Sequence, residues 1–145
     1  MIRKEAAIVI RRPVRTVFPF VADAENVHHF RSDVVAVTRT SGTPTAVGAT
    51  YRQVVKFAGR EVEVWIENTE YEPERKLSFT AHKPDSVTVR TAFSFQTIEL
   101  EHTRVAVKTE GDARSISGLA RSLQKREVEA LRDLQRSLES RPAEL

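Results

Sequence analysis

The side chains with potential chemistry are few. The four histidines are His28, His29, His82 and His102. His28 and His29 are adjacent, so on a helix their rings project about 100° apart and do not readily chelate one ion together. Glu25 precedes His29 by four residues, the spacing of an ordinary surface ion pair. His82 and His102 fall near predicted strand ends, on the solvent-facing parity. The absence of cysteine removes disulfides, thiolate catalysis, iron–sulfur clusters and cysteine-bound zinc together. No metal and no other cofactor is expected. Glycine stands only at 42, 48, 59, 111 and 118, which leaves no material for a phosphate loop or a dinucleotide fingerprint. Neither a serine-nucleophile elbow nor a metalloprotease His-Glu pair is present. For a dry site there remain Tyr51, Gln53 and Thr91, with Asn68 and Glu70 added if the register holds. Tyr51 and Gln53 suit the orientation of a ligand's polar end. A buried Glu70 beside Tyr71 would suit enolisation of a ketone, but its place next to the Glu72-Pro73-Glu74 turn favours exposure.

These residues must be held by a particular set of elements. Residues 5–11 are rich in Ile and Val and predict a strand. Pro13 opens a short helix over 13–22, which Pro19 should kink or loosen. Asp23 caps a second short helix, Ala24 to about Phe30. From Val34 to Gly111 the apolar period is two, broken by turn residues such as Ser41-Gly42-Thr43-Pro44 and Lys83-Pro84-Asp85. Strands are predicted over 34–40, 50–57, 60–71, 76–82, 86–98 and 103–111, an antiparallel meander. Ser115 or Ser117 then caps a long helix running to about Ser140, with Ile116, Leu119, Leu123, Leu131, Leu134 and Leu138 on one stripe.

Composition sets the outer bounds. With 145 residues, 40% apolar and 30% charged, the chain fits a single domain over 1–145 with one core. No apolar run approaches the roughly 18 residues of a membrane span. The run Ala6–Ile10 ends at Arg11-Arg12, with no cleavage site after it, so a soluble cytoplasmic protein without integral membrane association is expected. The net charge of +3 is small, and the sequence shows neither a nucleic-acid-binding module nor a basic face interleaved with aromatics. Nucleic acid is therefore not an expected partner.

Strand parity says most about the interior. One face carries Tyr51, Gln53, Val55 and Phe57; then Val62, Val64 and Ile66; then Leu77, Phe79 and Ala81; then Val87, Val89, Thr91, Phe93 and Phe95; then Val105 and Val107. The opposite face is wet. A twisted sheet of six or seven strands curves, and one helix about 10 Å across cannot fill its concavity. Either large side chains fill the remainder, or an apolar cavity is left. Trp65 falls on the wet parity among three glutamates. It is a ring lying on the aliphatic stems of Arg and Lys neighbours, or a homodimer patch, or, if a bulge intervenes, a stacking residue inside the cavity.

Several segments together carry a resemblance. They are Ile8-Val9-Ile10-Arg11-Arg12-Pro13, Val17-Phe18-Pro19-Phe20-Val21-Ala22-Asp23-Ala24-Glu25-Asn26, Val47-Gly48-Ala49-Thr50-Tyr51, Thr69-Glu70-Tyr71-Glu72-Pro73 and Thr103-Arg104-Val105, followed by the long helix. Over nearly the whole chain this resembles the START-like (SRPBCC) helix-grip superfamily, in its polyketide cyclase/dehydrase-like branch. The resemblance implies an α+β fold: a curved antiparallel sheet of six to seven strands gripping a C-terminal helix, with two short helices after the first strand and a deep apolar cavity. It also implies a small hydrophobic partner, either lipid, polyketide or aromatic metabolite. Two positions depart from the family pattern: Pro19 stands where a helix former is usual, and Phe30 where Trp is frequent. The expected lining is Tyr51, Gln53, Val55, Val64, Phe79, Val89, Thr91, Phe93 and Val107, with Leu119 and Leu123 from the helix and His28 and Phe30 at the entrance. Three functions compete: a carrier without chemistry, a cyclase or dehydratase, and an interaction module with a filled core. Two or more convergent ionisable groups in the cavity would favour the enzyme.

Overall fold

The computed structural model describes residues 2–57, 59–82, 88–111 and 120–141. Its strands are β1 (Ile2–Ile10), β2 (Val34–Ser41), β3 (Thr50–Phe57), β4 (Arg60–Glu72), β5 (Lys76–His82), β6 (Thr88–Glu99) and β7 (His102–Gly111). A helix, α1 (Val14–Ala22), and a 3-10 helix (Ala24–His29) follow β1, and α2 (Ala120–Glu139) closes the described chain. All seven strands form one antiparallel sheet in the order β1-β7-β6-β5-β4-β3-β2. The predicted meander is thus present, and the first strand closes onto the last. β1 begins at Ile2 rather than Glu5 because Arg3 and Lys4 find partners in Glu110 and Thr109 of β7. A long-range pairing of this kind leaves no local mark. The predicted caps Ser115 and Ser117 lie outside the described residues.

The helical connection after β1 follows its local chemistry. Pro13 stands just before α1 in an extended conformation (φ −71°), and its carbonyl accepts from the N–H groups of Thr16 and Val17. Pro19 does not break the helix. It is exposed, as is Arg15, whose carbonyl loses its helical donor to the proline, while buried Val17, Phe18, Phe20 and Val21 hold both turns on the sheet. Asp23 accepts from the Glu25 N–H at 3.0 Å and starts the 3-10 helix. In the loop after β2, Gly42 has φ +83°, and a Cβ there would lie 2.8 Å from the Ala49 Cα, so only glycine fits.

The helices cover the concave face unevenly. The backbone of α2 runs closest to β1, at one edge of the sheet. Leu131, Leu134 and Leu138 are buried there against Ile10, Phe18, Phe20, Phe30, Phe95 and Val105. Polar bonds fasten the C-terminal end of α2. The Arg11 backbone N–H donates to Glu139 Oε2 at 2.8 Å, and its guanidinium reaches Oε1 at 3.1 Å. Arg12 donates to the backbone carbonyls of Glu139 (2.8 Å), a last acceptor of the helix, and of Arg141 (2.6 Å), just past its end. Gln135 donates to the Val9 carbonyl, and Ser137 to that of His29. A second apolar cluster joins Ala49, just before β3, to Tyr51 of β3 and to Val64 and Ile66 of β4.

Candidate functional site

The pleat of β3, β4, β5 and β6 places one set of expected residues together. Gln53 faces Val64, Val55 faces Val62, Phe79 faces Thr91, Ala81 faces Val89, and Leu77 faces Phe93 across neighbouring strands. Directly opposed residues share a face, so Gln53, Val55, Phe79, Val89, Thr91 and Phe93 all lie on the concave side. All six are half-buried. An aromatic ladder runs into this zone from the core: Phe18 meets Phe95 edge-on at 5.0 Å, Phe95 stacks near Phe93 at 6.4 Å, and Phe93 approaches Phe79 at 6.4 Å. Phe95 is buried, whereas Phe93 and Phe79 are not fully covered.

The other expected residues differ in burial or in place, Val64 and Val107 sharing the concave face opposite Gln53 and Phe93. Val64 is closed into the β3–β4 cluster, and Val107 and Phe30 into the main core. Tyr51 is buried, and its hydroxyl oxygen accepts the Thr45 N–H at 3.0 Å, which ties down the loop after β2. His28 is exposed on the 3-10 helix, its ring 4.1 Å from that of His29. Leu119 and the side chain of Leu123 lie outside the described residues. A register shift between Asn68 and Glu70 turns Glu70 to the convex face, where it accepts from the Ser78 hydroxyl at 2.8 Å. The same shift puts Tyr71 opposite Leu77, beside Phe18 (5.5 Å). Trp65 stays on the convex face, 45% exposed, between Arg52 and His82. A bulge does not return it to the concave side.

One residue that carries chemistry escaped the sequence reading. Glu127, on α2, is 8% exposed, and neither carboxylate oxygen is in a well-formed hydrogen bond among the described residues, although the Thr109 hydroxyl stands close enough to act on it. Burial pushes its carboxyl above the ordinary value, against opposing pulls from the Thr109 hydroxyl, Arg31 and Lys4. Thr109 and Lys4 face each other across β7 and β1, and Thr109 also faces Thr91 of β6. Glu127 therefore lies beside a row of concave-face residues that runs Lys4, Thr109, Thr91, Phe79. The signal for it was present. The leucine stripe steps by four from Leu119 to Leu123, then skips to Leu131, and the missing step is Glu127.

Elsewhere on the molecule, a hollow of about 660 Å³ opens on the convex face. Ala7, Ala92 and Ala106 floor it, and Glu5, Lys76, Arg90, Arg104 and Lys108 wall it. Its charged walls oppose the apolar concave face through the thickness of one sheet.

A family model described as polyketide cyclase/dehydrase and lipid transport matches residues 1–139. The chain belongs to that family. Solved structures share the fold of this polyketide cyclase/dehydrase-type chain at low identity. A Thermus thermophilus protein is 19% identical, with 96% of this chain and 98% of that chain covered and a TM-score of 0.73. A Nitrosospira multiformis protein is 16% identical, with 97% and 100% covered and a TM-score of 0.76. A Streptomyces aromatase/cyclase is 13% identical, with 95% and 93% covered and a TM-score of 0.76. A search of curated proteins gives no match. The seven-stranded curved sheet, the short helices after β1 and the C-terminal helix are the helix-grip architecture of this polyketide cyclase/dehydrase-type family. No described helix is long and apolar enough to cross a membrane.

Proposed function

We propose that the protein binds a small hydrophobic molecule, a lipid, polyketide or aromatic metabolite, between the concave sheet face and α2. The observation that carries this reading is the half-burial of Val55, Phe79, Val89, Thr91 and Phe93 on the face that the helix should cover. Protein interiors are close-packed, and a concave apolar face left partly accessible beside a well-sealed core has room for a guest. Sealing roughly 300 Å² of ligand apolar surface contributes about 7 kcal/mol gross at 25 cal/mol per Å². Association and ordering costs leave about half or less, which corresponds to micromolar to millimolar binding.

The test is native mass spectrometry of freshly purified protein, followed by binding of a lipid and aromatic library. A co-purifying apolar molecule is expected. Gln53→Leu should change the rank order of bound compounds while leaving stability within about 0.5 kcal/mol. Unchanged binding of every hit would remove Gln53 from the lining, and no hit at all would overturn the reading.

A cyclase or dehydratase reading has one observation in its favour. Glu127 and Lys4 bring two ionisable groups to the same end of the concave face. Acid–base chemistry on a ketone needs such groups in a dry site.

A further inference from the structure

We propose that Glu127 is the polar anchor of the ligand site, and that the ligand carries a neutral O–H donor, a phenol, enol or alcohol, at its buried end. The inference rests on the binding reading above and adds to it a specificity residue and a ligand chemistry.

A buried polar side chain without a partner is uncommon, because desolvation is then uncompensated. Among the described residues neither Glu127 oxygen is in a well-formed hydrogen bond, the Thr109 hydroxyl standing beside the carboxyl without one. The groups around the carboxyl come from three directions. β7 contributes the Thr109 hydroxyl, β1 contributes Lys4, and Arg31, after the 3-10 helix, adds a second positive charge. Thr91 stands one strand beyond Thr109, on the half-buried part of the concave face. The carboxyl thus lies where sealed core gives way to accessible surface.

The ligand chemistry follows from donor–acceptor accounting. An ionised carboxylate only accepts, and a protonated one still keeps an accepting carbonyl oxygen. In either state the vacancy is filled by a donor. Arg31 is paired with Asp33 at 3.1 Å, so the positive charge beside the carboxyl comes chiefly from Lys4, and it disfavours an ammonium and favours a neutral O–H. Hydrogen bonds to charged groups are among the stronger ones, so a matched donor should gain about tenfold or more in affinity.

The test compares 2-naphthol with 2-methoxynaphthalene, equal in ring system and differing in the donor, by equilibrium titration of the full chain at neutral pH. The wild type should bind both and favour 2-naphthol by about tenfold. Glu127→Leu should abolish the preference while retaining 2-methoxynaphthalene. Loss of the acceptor does not threaten folding, since it removes a buried unpaired group, and Thr109→Val supplies an independent variant in which the preference should fall only in part. Equal affinity for the two probes in the wild type, or a preference that survives Glu127→Leu, would overturn the inference and leave the binding reading intact. Failure of the wild type to bind either probe would overturn the inference, and the binding reading falls with it only if the lipid and aromatic library also gives no hit.

Discussion

The two halves of the concave face are closed in different ways. Over β1 and β7, leucines of α2 and aromatics of α1 seal the sheet, and Arg11, Arg12, Gln135 and Ser137 fasten the helix with directed bonds. Over β3 to β6 the same face buries Tyr51, Val64, Ile66, Leu77 and Phe95 but keeps Gln53, Val55, Phe79, Val89 and Phe93 half-buried. Both halves have the apolar alternation of a core. They differ in what lies above them: the buried leucines of α2 belong to the cluster that includes Ile10, Phe95, Val105 and Val107, and no described residue of α2 belongs to the β3–β4 cluster. The directed bonds thus gather at one end of the helix, and the half-buried residues are where the proposed guest would sit.

The largest effect should come from the sealed half. Leu134, fully buried, sits at the centre of that packing. Leu134→Ala should lower unfolding free energy by about 2–5 kcal/mol in urea titration. Val55→Ala, in the open half, should cost roughly 1 kcal/mol or less, since its methyls are only partly removed from water. Equal losses at the two sites would mean that the halves are equally closed.

Next in size is a gain. Glu127 has a raised carboxyl pKa through burial, so the native state binds its proton more tightly than the unfolded chain does. Wild-type stability then falls as pH rises from about the ordinary 4.5 through the native value, and levels off above it. Glu127→Leu removes that decline. It should stabilise the protein by about 1–3 kcal/mol at neutral pH and by less in acid, read from thermal unfolding at several pH values. A gain that is the same at every pH would show that the carboxyl does not titrate abnormally.

The strands were legible because alternation and turn residues are local signals. β3 and β5 begin and end where the period-two pattern does. The start of β1 was not, because Arg3 and Lys4 extend it through pairing with β7. The bulge after Asn68 was also hidden, and it decides that Glu70 faces outward. Within the site, parity brought Gln53, Val55, Phe79, Val89, Thr91 and Phe93 to one face, but it could not tell that Val64, Val107 and Phe30 would be sealed. That depends on where α2 crosses the sheet, which no residue pattern states. Glu127 was passed over for another reason. Charged helix residues are usually solvated, so a gap in a leucine stripe is easily taken for a surface position.

The smallest effect comes from the other unusual carboxyl of α2. Glu139 lies twelve residues after Glu127, about 18 Å along the helix. Burial pushes its carboxyl up, but the backbone N–H and guanidinium of Arg11, with Arg12 behind, outweigh that and hold it below the ordinary value. Its sign is therefore opposite to that of Glu127. A lowered native pKa contributes stability that is full above about 4.5 and is lost as pH falls through the native value. Glu139→Gln should cost about 1 kcal/mol or less at neutral pH, because the Arg11 side chain is 71% exposed and its pairing is screened by solvent. The cost should shrink with added salt and vanish in acid below the native pKa, as measured by thermal unfolding. A loss that persists unchanged in acid would mean that Glu139 holds the helix end through packing, and that the closed half owes nothing to charge at this corner.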